Sequence, residues 1–135
     1  MLVGSVIHLD TNILIDIVTA HSPQVAVVRD WLSEGRILTA SSVAWSEFLN
    51  GPHSHSQKDA VRAVLAGGIR PFDEEQAELA SRLFHITGRR RGSHADCMIA
   101  AAALAKREVV ATRNIKDFQR FVPHGLMLEA IPTVD

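Results

Sequence analysis

The spacing of apolar positions changes several times along the chain, and each change predicts an element. Val6-Ile7-His8-Leu9 is a short apolar run broken only by His8, and it ends in Asp10-Thr11-Asn12. That pattern predicts a buried central strand. Helical spacing follows. Ile13, Ile17 and Ala20 share a stripe flanked by Leu14 and Val18, which predicts a helix from Asn12 to about Thr19. Pro23 suits the first turn of a second helix carrying Val27, Val28, Trp31 and Leu32 to Ser33, closed by Gly35. Ile37 to Ala40 reads as a strand. Ser41 or Ser42 can cap a helix from Val43 to Asn50, which Gly51-Pro52 stops.

The second half continues the alternation. His53 to Gln57 reads as a polar loop, Lys58 to Ala66 as a helix, and Ile69 to Phe72 as an extended link. Asp73, with Gln76 three residues on, predicts a capping box opening a helix with Ala77, Ala80, Leu83, Phe84 and Thr87 inward. Beyond the loop Gly88 to Gly92, Ser93 is expected to cap a helix from His94 to Lys106. Glu108 to Ala111 reads as a strand, Thr112 to Phe118 as a turn entering a short helix, and Leu126 to Ile131 as a last edge strand. Strands alternating with helices predict an α/β fold, a mainly parallel central sheet with helices on both faces. The sequence has no repeat and no linker, so residues 1–135 are expected to form a single domain.

Composition narrows the picture. Hydrophobic residues make up 47% of the 135, which excludes a disordered chain. Fourteen basic residues against fifteen acidic ones give no bulk charge, so any nucleic-acid surface must come from local clusters. The lone cysteine, Cys97, cannot form an internal disulfide and fits a reducing compartment. The longest apolar run, Cys97 to Ala105, falls far short of the ~20 residues that span a bilayer. No signal-peptide pattern precedes the first strand. A cytoplasmic protein without membrane attachment is expected.

Four acidic residues stand in comparable local settings. Asp10 ends the first strand, and Glu47 lies one turn into the helix after the second. Asp96 lies near the start of a later helix, and Asp117 follows the strand 108–111. Strand ends and helix starts share one edge of a parallel sheet, where ligands bind. Four converging carboxylates repel one another unless a cation offsets them. Oxygen ligands without His or Cys point to Mg²⁺ or Mn²⁺, and phosphodiester hydrolysis is the natural use of such a site. Each acid by itself has an ordinary structural explanation, as a cap or a solvated helix residue.

These residues lie in motifs that resemble PIN-domain proteins, and among them the VapC-type toxin ribonucleases of toxin–antitoxin pairs. The motifs are His8-Leu9-Asp10-Thr11-Asn12-Ile13-Leu14, Ser41 to Phe48, His94 to Ala103 and Ala111 to Phe118. The resemblance implies a PIN-like fold and metal-dependent cleavage of RNA. It implies that Asp10, Glu47 and Asp96 are catalytic metal-binding residues, with Asp117 as the fourth acid. It implies that Asn12, Thr112 and Asn114 support them. Asp10 and Asp96 would hold the metal, with Glu47 on the metal or the attacking water. A homodimer and a VapB-type antitoxin are the implied partners. Arg89, Arg90 and Arg91, with Arg113 and Lys116 opposite, would then form a basic rim that guides RNA past the acids.

Other features point to packing. His53 and His55 lie in a polar stretch, and His94 is two residues from Asp96, hence on another side of its helix. Trp31, Trp45, Phe84 and Phe118 fall on apolar stripes and are expected in the core or at a dimer face. A haloacid-dehalogenase-type phosphatase would require a second Asp where Asn12 stands. Two non-catalytic readings stay open: a receiver-like signalling domain with an acidic pocket, and an RNA-binding module that has lost activity.

Overall fold

The computed structural model describes residues 5–131. In chain order the strands are β1 (Val6–Leu9), β2 (Ile37–Ser41), β3 (Ile69–Arg70), β4 (Val109–Ala111) and β5 (Met127–Leu128). The helices are α1 (Thr11–Ile17), α2 (Gln24–Ser33), α3 (Ser42–Leu49), α4 (His55–Val64), α5 (Glu74–Ile86), α6 (His94–Leu104) and α7 (Ile115–Phe118). A 3₁₀ segment, Gln119–His124, follows α7. All paired strands are parallel, and their order is β3-β2-β1-β4-β5.

β1 sits at the centre because it can be covered on both faces. Ile7, His8 and Leu9 point alternately to opposite sides, yet all three are buried. Its register sets Ile7 against Leu38 on one side and Val109 on the other, with Leu9 level with Ala111. α6 packs against β4, α3 and α5, and its residues Cys97, Ile99, Ala100, Ala101, Ala102 and Ala103 are all buried. A helix apolar nearly all round belongs inside a fold, and its alanines admit α5 and β4 closely. Phe48, Phe118 and Phe121 are fully buried in the same core, each contributing about 1.5–3 kcal/mol relative to exposure.

Several boundaries differ from the sequence expectation, each for a local reason. The stretch 53–57 is not a loop throughout. Ser54 caps α4, its Oγ accepting from Gln57 N at 3.2 Å while Ser54 N donates to Gln57 Oε1 at 2.8 Å. The capping box therefore forms there, while at Asp73 only half of one does. Asp73 Oδ1 accepts from Gln76 N at 2.9 Å, but the Gln76 side chain turns inward and is buried. Gln76, Ala80 and Leu83 then form the inner stripe, and Ala77 is exposed. Ser93 does not cap α6 through its side chain, because its hydroxyl donates to Arg90 O at 2.6 Å.

The link after α4 contains a true strand. β3 pairs with the end of β2, Ala40 with Ile69 and Ser41 with Arg70. Gly67 permits this approach: a Cβ there would lie 3.0 Å from Thr39 Cβ. The last strand is only Met127–Leu128, and the first helix ends at Ile17. Trp31, Trp45 and Phe118 are core residues, with Phe84 packed against the core from its edge. No helix among the described residues is long and apolar enough to cross a membrane.

Candidate active site

The chain winds outward from β1 in both directions, to β2 and β3 on one side and to β4 and β5 on the other. A reversal of this kind opens a crevice at the carboxyl ends of the two strands where it occurs, here β1 and β4. The residues that follow those ends are Asp10 and Thr112. Asp10 N donates to Ala111 O at 2.9 Å, so the ladder continues past β1 and lays Asp10 beside Thr112.

Asp10 is 4% exposed. Its Oδ1 accepts from Thr11 N at 2.8 Å, capping α1, and its Oδ2 accepts the Thr112 hydroxyl at 2.7 Å. Burial raises the Asp10 carboxyl above its usual range, and Glu47 adds to the rise. The hydrogen bonds from Thr112 and Thr11, and the Arg113 charge, act the other way. Thr112 Oγ1 also accepts from Asn114 N at 2.9 Å and from Asn12 Nδ2 at 3.4 Å. Asn12, Thr112 and Asn114 thus meet beside Asp10.

Glu47 lies on the exposed side of α3, and its Oε1 accepts the Thr11 hydroxyl at 2.6 Å. Asp96, in the first turn of α6, is half-buried. Its pKa is pushed up to about 6, by burial first and then by Asp10, with Asp117 and Glu47 adding and Arg120 opposing. All four acids therefore share one electrostatic field. Arg120 Nη2 stands 3.9 Å from Asp96 Oδ2, its guanidinium lying 4.5 Å from the centroid of the Phe121 ring. Asp117, on α7, accepts from Arg90 Nη2 at 3.1 Å.

The expected basic rim is partly engaged with neighbours. Arg90 reaches Asp117, Arg89 Nε donates to His85 Nδ1 at 2.9 Å, and Arg113 Nε donates to Asp16 Oδ2 at 2.7 Å. Arg91 and Lys116 are exposed. The His53 ring stacks on Phe48 with centroids 4.1 Å apart, and Cys97 is buried and free.

Among the described residues, no three His, Cys, Asp or Glu side chains are grouped closely enough to hold a metal ion between them. Mg²⁺, however, needs only one or two carboxylates and keeps several waters. The donors on hand are carboxylate oxygens, a set that fits Mg²⁺ or Mn²⁺ rather than zinc.

Three residues around these acids escape the sequence reading: Thr11, Asp16 and Arg120. Thr11 sits inside the Asp-Thr-Asn run, and Asp16 is an acid between two isoleucines of an apolar helix; both signals are present in the sequence. Arg120 carries no such signal.

A family model described as PIN domain matches residues 7–122. Among solved structures, a chain of the VapBC2 structure from Rickettsia felis, bound to a DNA fragment from its promoter, aligns with a TM-score of 0.72 at 22% identity, covering 92% of this chain and 97% of that one. A chain of DNA-bound VapBC from Salmonella typhimurium aligns with a TM-score of 0.68 at 24% identity, covering 93% and 97%. A chain of a toxin–antitoxin complex from Klebsiella pneumoniae aligns with a TM-score of 0.66 at 27% identity, covering 82% and 88%. No curated protein matches the chain.

Proposed function

Because the chain belongs to the PIN domain family, we propose that it is a Mg²⁺- or Mn²⁺-dependent endoribonuclease, the toxin of a VapBC-type toxin–antitoxin pair. The observation that carries this reading is the buried Asp10 carboxylate at the reversal of the sheet, held by Thr112 and the Thr11 amide, with the half-buried Asp96 carboxylate near enough for the Asp10 charge to raise it. A cation held beside them would favour the ionised forms that burial disfavours.

Asp10 and Asp96 would hold the metal, with Glu47 and Asp117 beside them. When bound, the ion would offset charge developing on the phosphoryl group and lower the pKa of water. Thr112 and the Thr11 amide orient Asp10, and the Thr11 hydroxyl orients Glu47. Glu47, exposed on α3, would take the proton of the attacking water. Arg89, Arg90, Arg91 and Lys116 would supply positive charge around the acids, which would otherwise repel the RNA backbone; Arg113 is engaged by Asp16.

Near-full coverage of chains from toxin–antitoxin complexes supports a VapB-type antitoxin as partner. A homodimer and a cytoplasmic setting complete the reading. The receiver-like alternative is disfavoured by the sheet, because receiver domains follow the order 2-1-3-4-5 and this one runs β3-β2-β1-β4-β5.

The test is cleavage of RNA by the purified protein. Cutting is expected with Mg²⁺ or Mn²⁺, and none with chelator or in Asp96→Asn. Undiminished cutting by Asp96→Asn overturns the assignment.

A further inference from the structure

Asp16 lies outside the four motifs that carry the acids, yet it is a carboxylate only 6% exposed, in the last turn of α1. A buried carboxylate without a partner is strongly destabilising. Its partner is Arg113, whose Nε donates to Asp16 Oδ2 at 2.7 Å. The Arg113 backbone N–H is held as well, donating to Asn12 Oδ1 at 3.3 Å. Asn12 and Asp16 are four residues apart on one helix and so face the same way. One residue of the loop between β4 and α7 is therefore fastened to α1 at both its main chain and its side chain.

That fastening reaches the acids in two directions. Thr112 lies between Ala111, fixed in the sheet, and Arg113, fixed to α1, and it carries the hydrogen bond to Asp10. Downstream, Asn114 N donates to Thr112 Oγ1 at 2.9 Å and Asp117 N donates to Asn114 O at 3.0 Å. The loop therefore sets Asp117 and the Asp10–Thr112 pair together.

We infer that Asp16 is a positioning residue: through Arg113 it latches the β4–α7 loop to α1 and so fixes Asp10 and Asp117 relative to each other. Arg113 then serves the latch first, rather than acting as one more phosphate-contacting arginine. The inference deepens the ribonuclease reading and rests on it for its effect on catalysis, but the latch itself is measurable without RNA.

Two conservative variants test it. Asp16→Asn keeps the side chain's shape and removes its charge. Arg113→Lys keeps the charge and loses the guanidinium fork. In the metal-free, RNA-free protein, both are expected to raise hydrogen exchange at the amides of Arg113, Asn114 and Asp117 by about tenfold or more, the equivalent of one charge-assisted hydrogen bond. In cleavage assays both lower kcat by about ten- to a hundredfold, with KM nearly unchanged, and the double variant is no worse than the worse single. The salt slope of binding to a single-stranded RNA oligonucleotide in chelator stays that of the wild type. Unchanged exchange in Asp16→Asn overturns the latch. So does an Arg113→Ala variant whose KM rises and whose salt slope drops by about 0.7, the signature of one lost phosphate contact. A wild type that cuts no RNA defeats the ribonuclease reading, while loop exchange still decides the latch.

Discussion

The hydroxyl of Thr112 donates to Asp10 Oδ2 at 2.7 Å, joining the end of β4 to the end of β1 across the point where the sheet reverses. Replacing Thr112 with Val keeps the volume and removes the donor. The buried Asp10 carboxylate is then short of one hydrogen bond, a loss of about 1–3 kcal/mol. The same bond lowers the Asp10 pKa, so its removal raises that value further. Urea unfolding is expected to show the lost stability, and the acid limb of the cleavage pH profile should move to higher pH. Thr112→Ser should restore both. An unshifted acid limb in Thr112→Val contradicts the role given to this hydroxyl.

Asp96 makes stability depend on pH in an unusual direction. Its folded-state value of about 6 lies above the roughly 3.9 of an unperturbed Asp. Between those values the native protein binds the proton more tightly than the unfolded chain does. The contribution of this group therefore falls as pH rises from about 4 to 6, and the deficit persists above that. Asp96→Asn should raise the Tm of the metal-free protein near pH 7.5 and raise it clearly less near pH 4.5. His8 runs the opposite way, because burial lowers its pKa and acid weakens the fold below about 6.5. Both proteins carry His8, so the Tm difference at each pH isolates Asp96. A Tm gain that is equal at both pH values contradicts the assignment.

The Arg90–Asp117 pair is exposed on both sides. Arg90→Ala should change stability by less than about 1 kcal/mol. If Arg90 contacts the RNA backbone, its removal weakens RNA binding across sequences and reduces the salt slope by about 0.7. Fluorescence titrations at several salt concentrations measure this, and an unchanged slope removes Arg90 from the basic rim.

The order of strands and helices could be read from hydrophobic spacing because most elements are long enough to show a period. β3 could not. At two residues it has no period, and only the close approach of Gly67 to β2 creates it. The local setting of the acids was legible only in part. Asp10 stands at a strand end and Asp96 in a first helical turn, as the spacing predicts, but Glu47 falls in the last turn of α3, and among the described residues no three of the acids are grouped closely. Their partners were less legible. The capping box forms at Ser54 and only half-forms at Asp73, because the Gln76 side chain is drawn into the core. Arg113 reads as a rim cation by charge, yet a helix residue nearly a hundred positions earlier in the chain claims it. Long-range pairing of that kind has no local pattern.

On the proposed reading, Asp10 and Asp96 share a divalent cation. The most direct measurement is the anomalous scattering of Mn²⁺ in crystals of the protein grown or soaked with the ion. A peak within coordinating distance of carboxylate oxygens of both Asp10 and Asp96, lost in Asp96→Asn, is the result expected. Mn²⁺ bound elsewhere, or no ordered ion in that crevice at saturating concentration, would contradict the account.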